Sequence, residues 1–264
     1  MAKTGNSRGP APVQSVGRSL DLLEAVASEN VGLVALAERT GLGPSTAYRL
    51  LATLMERGYV TRSPRTGRFR LGHKLAELAA VAARDSESLR SIMRPHLEHL
   101  RNATHETANL VVPDGVSIVY VDQVESPRAV RMFTTIGRRV PLHAAAAGKA
   151  ILASSPAWLL DERVAAGLER LTSHTLTTTR ALAADLDVIR ARGFAVDSEE
   201  YELGVVCVAA AILGVDGEAI AAVSVSGPGE RMRDTDLDAL GALVRDHAMQ
   251  ASRELGAIAQ AVVV

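Results

Sequence analysis

The stretch LAERTGLGPSTAYRLL, residues 36–51, decides the fold of the N-terminal part of this 264-residue chain. Its apolar spacing predicts two short helices, over residues 34–40 and 45–57, joined by a sharp turn that begins at Gly41. Glycine tolerates the left-handed backbone that such a turn requires, and the small side chain of Ala37 lets the two helices approach closely. This arrangement is typical of a helix-turn-helix.

A further helix is predicted immediately before this unit, over residues 15–28. Val16, Leu20, Leu23 and Ala27 recur along it at helical spacing, so we expect them to form a stripe buried against the other two helices. The N-terminal domain therefore begins with three helices.

A hairpin is predicted after the third helix. The segments 59–61 and 69–71 flank the turn sequence Ser-Pro-Arg-Thr-Gly at residues 63–67, which places Arg65 at the tip. A hairpin in this position is a wing, so we predict a winged helix-turn-helix that is mainly α-helical. A plain helical bundle with a hairpin is the alternative that the same elements allow.

The third helix has an apolar side and a polar side. Ala47, Leu50 and Leu51 are expected to pack inward, and Ser45 is expected to cap the helix with its side chain. The outward polar side chains would read base edges in the major groove of double-stranded DNA, while the wing arginines would contact phosphates or the minor groove. The candidate DNA-binding residues are Ser45, Thr46, Tyr48, Arg49, Thr53, Arg62, Arg65 and Arg68.

The net charge of −1 hides two parts of opposite sign. Residues 1–73 hold ten Lys or Arg against five acids, which gives +5, so the remainder carries −6. Between residues 45 and 70 there are six arginines and a single acid, Glu56. Such a cluster attracts a polyanion to one surface. A basic face that is merely solvated is the alternative explanation.

The bulk composition indicates a globular protein of two domains, with 47% hydrophobic and 22% charged residues. The longest apolar run, residues 205–213, is far shorter than the roughly 20 residues that cross a bilayer as a helix. The first dozen residues lack the apolar stretch of a secretory signal. The single cysteine, Cys207, allows no internal disulfide. We therefore expect a cytoplasmic protein without membrane contact.

The C-terminal part mixes helices and strands. Helical periodicity returns after residue 72, and we expect Pro95 to bend or restart that helix because proline removes a helix hydrogen bond. Beyond residue 104 the pattern predicts an α+β domain. Its strands are predicted over residues 107–112, 116–124, 129–134, 194–197, 205–213 and 219–226, and its helices over 148–154, 182–191 and 235–257, the last begun by Thr235 and Asp238 as a cap.

Three features of this domain indicate a binding site. The helix start at residues 143–149, His-Ala-Ala-Ala-Ala-Gly-Lys, has side chains so small that a ligand can approach its unpaired backbone N–H groups, which favour an anion. Ser224 and Ser226 project from one face of a strand. Asp197 and Cys207 lie on neighbouring predicted strands in aliphatic surroundings, where polar groups need partners. A close contact between helix and sheet is the alternative explanation for the small residues.

From residue 13 to residue 255 the sequence resembles the IclR family of transcription regulators. The resembling segments correspond to the helix-turn-helix and to two signatures of the effector domain in that family. They are VQSVGRSL at residues 13–20, LAERTGL at 36–42, STAYRLL at 45–51, PLH at 141–143 with GKA at 148–150, and the stretch 193–212, which contains Asp197, Gly204 and Cys207.

The resemblance implies a GAF-like effector-binding domain behind a helical linker, and dimers or dimers of dimers that bind palindromic operators. Residues 144–147 are four alanines where family members often carry Ser, Thr or Gly, so a side-chain donor is missing there. The ligand pocket that the resemblance implies is formed by the backbone N–H groups of Ala146 and Ala147, the side chains of Asp197, Cys207, Ser224 and Ser226, and an apolar lid that includes Met132.

These observations divide the chain into five segments. We expect a transcription regulator whose operator affinity changes when a small carboxylate, either an aromatic or a hydroxy acid, binds the C-terminal domain. The segments are a disordered tail over residues 1–12, the DNA-binding domain over 13–73, a linker helix over 74–90, the effector-binding domain over 91–257 and a tail over 258–264.

Two rival functions would use Cys207. An enzyme would employ it as a nucleophile with His143 or His105 as the base, but burial in the run 205–213 should raise the pKa of the thiol, and no reactive-site motif is adjacent. A metal sensor built from Cys207, His143 and Asp197 is chemically possible but has no supporting spacing. We therefore expect neither catalysis nor a bound metal or cofactor.

Overall fold

The computed structural model describes residues 13–28 and 32–262, and for residues 28, 79–88 and 257–262 it describes the backbone alone. The chain divides into two compact units, Met1–Ser86 and Glu87–Val264. The tail predicted over residues 1–12 lies outside the described residues.

The first unit is a winged helix-turn-helix. Its helices are α1 (Gln14–Ser28), α2 (Leu33–Arg39) and α3 (Pro44–Glu56), and its wing is the antiparallel pair β1 (Val60–Arg62) and β2 (Phe69–Leu71). Gly41, in the turn between α2 and α3, has a φ of 63°, a left-handed conformation that explains the glycine. The core of this unit consists of Leu22, Val26, Leu36, Ala37, Ala47, Leu51, Val60 and Phe69.

Two sequence predictions about this unit are wrong. On α1 the buried residues are Leu22 and Val26, whereas Val16 and Leu20 of the predicted stripe are 56% and 52% exposed. The first turns of α1 therefore present an apolar face that this unit does not cover. On α3 the N-cap is Gly43 without a side-chain hydrogen bond, because Pro44 occupies the first helical position and the helix starts before Ser45.

The second unit is an α+β domain around one antiparallel sheet. The strand order in the sheet is β5-β4-β3-β8-β7-β6. In chain order the elements are α4 (His73–Thr104, which begins in the first unit), β3 (Thr107–Asp114), β4 (Ser117–Val124), β5 (Arg139–Pro141), α5 (Ala146–Ala153), α6 (Ala157–Ala165), α7 (Thr179–Arg192), β6 (Ala195–Ser198), β7 (Val205–Leu213), β8 (Ala219–Pro228), α8 (Gly229–Arg233) and α9 (Leu237–Val262).

Helices cover both faces of this sheet. One face packs on α4 and α9 through apolar side chains such as Met93, Leu97 and Val244. The other, which we call the α5 face, packs on α5 and α7 through side chains that include Ile151 and Leu186. Alternate residues of each strand point to opposite faces, so only every second side chain can belong to a site on the α5 face.

Several element predictions for this unit need correction. Residues 129–134 form no strand, because backbone groups of this segment bond to side chains instead: Arg231 donates to the Val130 carbonyl and Thr107 to the Met132 carbonyl. Helix α4 is continuous through Pro95. The Asp236 side chain, rather than Thr235 or Asp238, accepts hydrogen bonds from the first N–H groups of α9.

The sequence pattern predicts no helix at α6, and α9 continues into the tail predicted over residues 258–264. Within the part of the chain that the structure describes, none of the helices combines the length and the apolar character needed to cross a bilayer.

Candidate functional site

The outward side of α3 matches the polar side expected from the sequence. Ala47 and Leu51 are buried in the core of the first unit. The other side of the helix presents hydroxyls, a phenol and a guanidinium to solvent, which are the groups that read base edges. All five predicted residues of the helix, Ser45, Thr46, Tyr48, Arg49 and Thr53, are exposed.

The wing arginines differ in their surroundings. Arg62 donates from Nε to the Gly67 carbonyl at 3.0 Å, and its guanidinium lies over the Phe69 ring at 5.5 Å from the centroid. Arg62 therefore stabilises the wing turn, where Gly67 has a φ of 66°. Arg65 and Arg68 are exposed beside that turn. The wing thus carries Arg65 at its tip, as the sequence predicts.

Four of the predicted effector residues lie on the α5 face. Asp197 on β6 pairs with Cys207 on β7, and Cys207 pairs with Ser226 on β8, so these three form one row across three strands. Ser224 lies two residues earlier on β8 and shares the same face. Ser226 donates from Oγ to the Cys207 sulfur at 3.1 Å. The sequence-predicted side chains are therefore brought together.

The start of α5 lies against this part of the sheet. Ala146 and Ala147 are buried, and the N-cap residue Ala145 provides no side-chain hydrogen bond to the helix. A helix leaves its first N–H groups without intrahelical partners, and they favour an anion. Gly148 is required because a Cβ there would lie 2.3 Å from the Leu142 carbonyl oxygen. The alanines are therefore consistent both with an anion site at the helix start and with a close contact between helix and sheet, since α5 packs closely on β7 and β8.

Burial favours the neutral forms of the titratable groups on this face. It raises the pKa of Asp197 to about 7, with Glu200 adding to the rise and Lys149 opposing it. It also raises the pKa of Cys207 to about 12. Burial raises the pKa of Tyr120 as well, and the nearby groups that contribute include Cys207 and Asp197. Tyr120 packs against the same buried cluster as Cys207 and the start of α5, and sequence reasoning missed it.

A buried ion cluster next to the site was also missed. Lys149 is 1% exposed, and its Nζ lies 2.5 Å from Glu200 Oε1, 2.8 Å from Asp185 Oδ2 and 2.9 Å from the Val196 carbonyl. The Glu200 backbone N–H donates to Asp197 Oδ1 at 2.6 Å. Lys149 therefore ties α5 to the loop that orients Asp197. A lysine inside the apolar helix 146–153 was the available signal.

The segment between β4 and β5 carries Met132, the predicted lid residue. Thr107, the first residue of β3, donates from Oγ1 to the Met132 carbonyl at 3.2 Å, so the segment is attached to the start of that strand. Farther along, Arg138 donates to the Tyr201 hydroxyl at 2.8 Å and lies over its ring. Met132 is half-buried, and Val130 and Phe133 on either side of it are exposed.

The surroundings of the groups needed for the rival functions do not favour those roles. His143 is buried and its Nε2 lies 3.0 Å from the Glu169 carbonyl, and burial lowers its pKa. His105 is exposed, with a left-handed backbone. A thiol whose pKa is raised to about 12 is a poor nucleophile. The described residues contain no group of three or more side chains arranged to hold a metal ion.

Comparison with known proteins assigns both units. The IclR helix-turn-helix domain matches residues 15–64, and the C-terminal domain of the bacterial transcriptional regulator IclR matches residues 81–253. The chain is 38% identical over 266 aligned positions to the HTH-type transcriptional regulator BhcR of Paracoccus denitrificans, which covers 97% of this chain and 94% of that protein.

Two solved structures share the architecture. The IclR protein of Thermotoga maritima matches with 32% identity and a TM-score of 0.73, over 92% of this chain and 98% of that one. An IclR homologue of Microbacterium hydrocarbonoxydans, solved with 4-hydroxybenzoate, matches with 24% identity and a TM-score of 0.77, over 92% of this chain and 100% of that one.

Proposed function

The chain belongs to the IclR family of bacterial transcription regulators, and from this premise we propose how it reads DNA and what it senses. It is a DNA-binding transcription regulator with an effector-binding C-terminal domain, and the family to which it belongs consists of regulators rather than enzymes. For the domain limits we propose 13–73 for DNA binding, 74–90 for the linker and 91–257 for effector binding. We propose that it acts in the cytoplasm.

We propose that α3 enters the major groove. The observation in favour is the exposed set of polar side chains on the side of α3 opposite the core. Arg49 is the side chain best suited to bond a guanine edge with two donors, whereas Arg65 at the wing tip is suited to phosphate. Because Arg62 is engaged by Gly67 and Phe69, we give it a structural role in the wing.

This proposal predicts different consequences for two arginine variants. Arg49→Ala should cost about 1–3 kcal/mol of operator binding and relax sequence preference, because a base contact is lost. Arg65→Ala should weaken binding to all sequences alike and reduce the salt dependence, because a phosphate contact releases counterions. Mobility shifts at several salt concentrations, on an operator selected from random DNA and on scrambled DNA, measure both.

The matched control is Arg180→Ala, an exposed arginine of α7 in the other unit, which should bind like the wild type. If Arg49→Ala and Arg65→Ala also bind every DNA as the wild type does, α3 and the wing are not the reading surface.

We propose that the effector is a small carboxylate held on the α5 face. The observation that carries this is that the start of α5 lies against Asp197, Cys207, Ser224 and Ser226 on one buried surface. The carboxylate would accept hydrogen bonds from the first N–H groups of α5, and the surrounding aliphatic side chains would exclude water. The homologue solved with 4-hydroxybenzoate, itself a carboxylate, is consistent with this choice.

The effector proposal is tested by a thermal-shift and calorimetry screen of organic acids. Replacing both Ser224 and Ser226 by Ala should weaken binding of any hit roughly 10-fold or more, because the Ser224 hydroxyl, a donor without a partner in the protein, is lost to the charged group. A hit that binds the double variant as tightly as the wild type would show that the acid sits elsewhere. A screen in which only cations or neutral sugars bind would exclude a carboxylate effector.

The same site predicts a pH dependence whose sign follows from Asp197. Its pKa is raised to about 7, so the carboxyl is neutral below that pH and ionised above it. An ionised Asp197 repels a carboxylate ligand, so affinity should fall above pH 7 by up to about tenfold per pH unit. Glu200 and Lys149 keep their mutual ion pair nearby. Calorimetry from pH 6 to 8 measures the effect, which Asp197→Asn should abolish.

We also propose a homodimer or a dimer of dimers. One recognition helix reads a half-site, and two-fold operators mirror two-fold proteins. Val13, Val16 and Leu20 form the uncovered apolar face at the start of α1, all more than half exposed. A second copy of the chain would cover such a face.

A further inference from the structure

Three buried polar atoms on the α5 face form a second row, beside the row of Asp197, Cys207 and Ser226. Asn109 on β3 pairs with Gln123 on β4 and with Ser224 on β8, so the three side chains lie side by side across three strands. Within the described chain, Gln123 Oε1, Asn109 Oδ1 and Ser224 Oγ are buried without a hydrogen-bond partner.

The neighbouring row has its partners within the protein. Asp197 accepts from the Glu200 N–H, Ser226 donates to Cys207, and Thr107 donates to the Met132 carbonyl. The Ser224 hydroxyl lies near the Cys207 thiol and lowers the pKa of that thiol. The two groups are nevertheless not hydrogen-bonded to each other, so Ser224 Oγ has no partner. Buried polar atoms are almost always bonded, so a row of three without partners points to a ligand that bonds them.

The chemistry of the free atoms restricts that ligand. Asn109 already uses its Nδ2, which donates to Ser226 Oγ at 3.4 Å, so the atom left over is the carbonyl oxygen. The free atom of Gln123 is also a carbonyl oxygen. Both accept only, and a carboxylate, which likewise only accepts, cannot satisfy them. Hydroxyl groups can.

We propose that the effector is a polyhydroxylated carboxylic acid whose hydroxyl groups donate to Asn109 and Gln123 while its carboxylate lies at the start of α5. The inference rests on the carboxylate site proposed above and adds to it the rest of the ligand. Facing residues on paired strands have Cβ atoms about 4.5–5.5 Å apart, so the two acceptors call for hydroxyls on different carbon atoms.

The test uses matched acids that differ only in their hydroxyl groups. Threonate, arabinonate and gluconate are compared with butanoate, pentanoate and hexanoate by calorimetry on the full chain. We expect at least one hydroxylated acid to bind about 30-fold or more tightly than its deoxy partner, the effect of two hydrogen bonds. If no hydroxylated acid binds more tightly than its partner, the inference is wrong.

The outcomes separate this inference from the proposal on which it rests. Equal binding of the hydroxylated and deoxy acids overturns the hydroxyl contacts and leaves the carboxylate site standing. Binding of the neutral polyol glucitol as tightly as gluconate overturns the carboxylate contact instead, because the acid group then contributes nothing.

Variants of Asn109 and Gln123 test whether these two residues cause the preference for the hydroxylated acid. Asn109→Leu and Gln123→Leu should each lower the preference for the hydroxylated acid about 5-fold or more while leaving the deoxy acid's affinity unchanged, a result that a purely structural role would not give. The control is Ser252→Ala on α9, whose hydroxyl bonds Leu213 and Ala248 on the other side of the sheet. It should lower the melting temperature and keep the preference. A preference that survives both leucine variants contradicts the assignment.

Discussion

Replacing Lys149 by Met should lower the free energy of unfolding of the effector domain by about 3–5 kcal/mol, because it leaves a buried carboxylate without its counter-charge. Lys149 Nζ donates to Glu200 Oε1 and to the Val196 carbonyl, and it forms an ion pair with Asp185 at 2.8 Å. Methionine fills a similar volume, so packing alone should change little. The loss therefore measures the electrostatic role of the cluster.

Urea unfolding measures this loss, followed by circular dichroism and by the fluorescence of Trp158. Trp158 is the only tryptophan of the chain and lies in α6, within the same unit. The control is Lys74→Met, since Lys74 forms an exposed ion pair with Glu77 and should leave the unfolding midpoint unchanged. A loss below about 1 kcal/mol for Lys149→Met would mean that the cluster does not stabilise the domain.

A second large effect is expected from a charge on the apolar face of α1. Leu20→Glu should convert the assembly to a smaller species and weaken operator binding at least about 100-fold, because two linked recognition helices gain from effective concentration and single ones do not. The leucine is 52% exposed in the single chain, so the substitution should leave its fold intact. Light scattering and mobility shifts give the two readouts.

Val215→Glu is the control for adding a charge to an exposed apolar residue. Val215 is 72% exposed and lies in the turn between β7 and β8, in the unit that does not contain α1. It should leave mass and operator affinity as in the wild type. If Leu20→Glu keeps the mass of the wild-type assembly, α1 is not the interface.

The sequence predicted those elements in which local pattern and tertiary packing agree. Strand β7, an unbroken apolar run, has the predicted limits Val205 and Leu213 because it is buried on both faces. The periodicity of α1 wrongly predicted that Val16 and Leu20 are buried in the core of their own unit. An apolar stripe indicates a face that needs covering, but it does not show whether the same chain or another copy covers it. The segment 129–134 has strand-like composition, but Arg231, a hundred residues later, binds its backbone.

Some residues of the candidate site could be predicted from the sequence, and others could be found only in the structure. Asp197, Cys207, Ser224 and Ser226 could be singled out because each is a polar residue within an aliphatic strand. Lys149 could not be placed, since its partners Asp185 and Glu200 are far from it in the chain. The role of Asn109 and Gln123 could not be predicted for a similar reason. That their side-chain oxygens lack hydrogen-bond partners can be recognised only when the pairing of the strands is known.

The single cysteine offers a way to measure how often the effector-binding domain opens. Cys207 is buried on the α5 face, and with its pKa raised to about 12 it holds almost no thiolate at neutral pH. A thiol reagent can therefore label it only during excursions that open the surrounding strands and helix. With no second cysteine to compete, the labelling rate counts those excursions directly. If a bound acid slows the labelling of Cys207, the decrease in rate measures how far the acid reduces the frequency of opening.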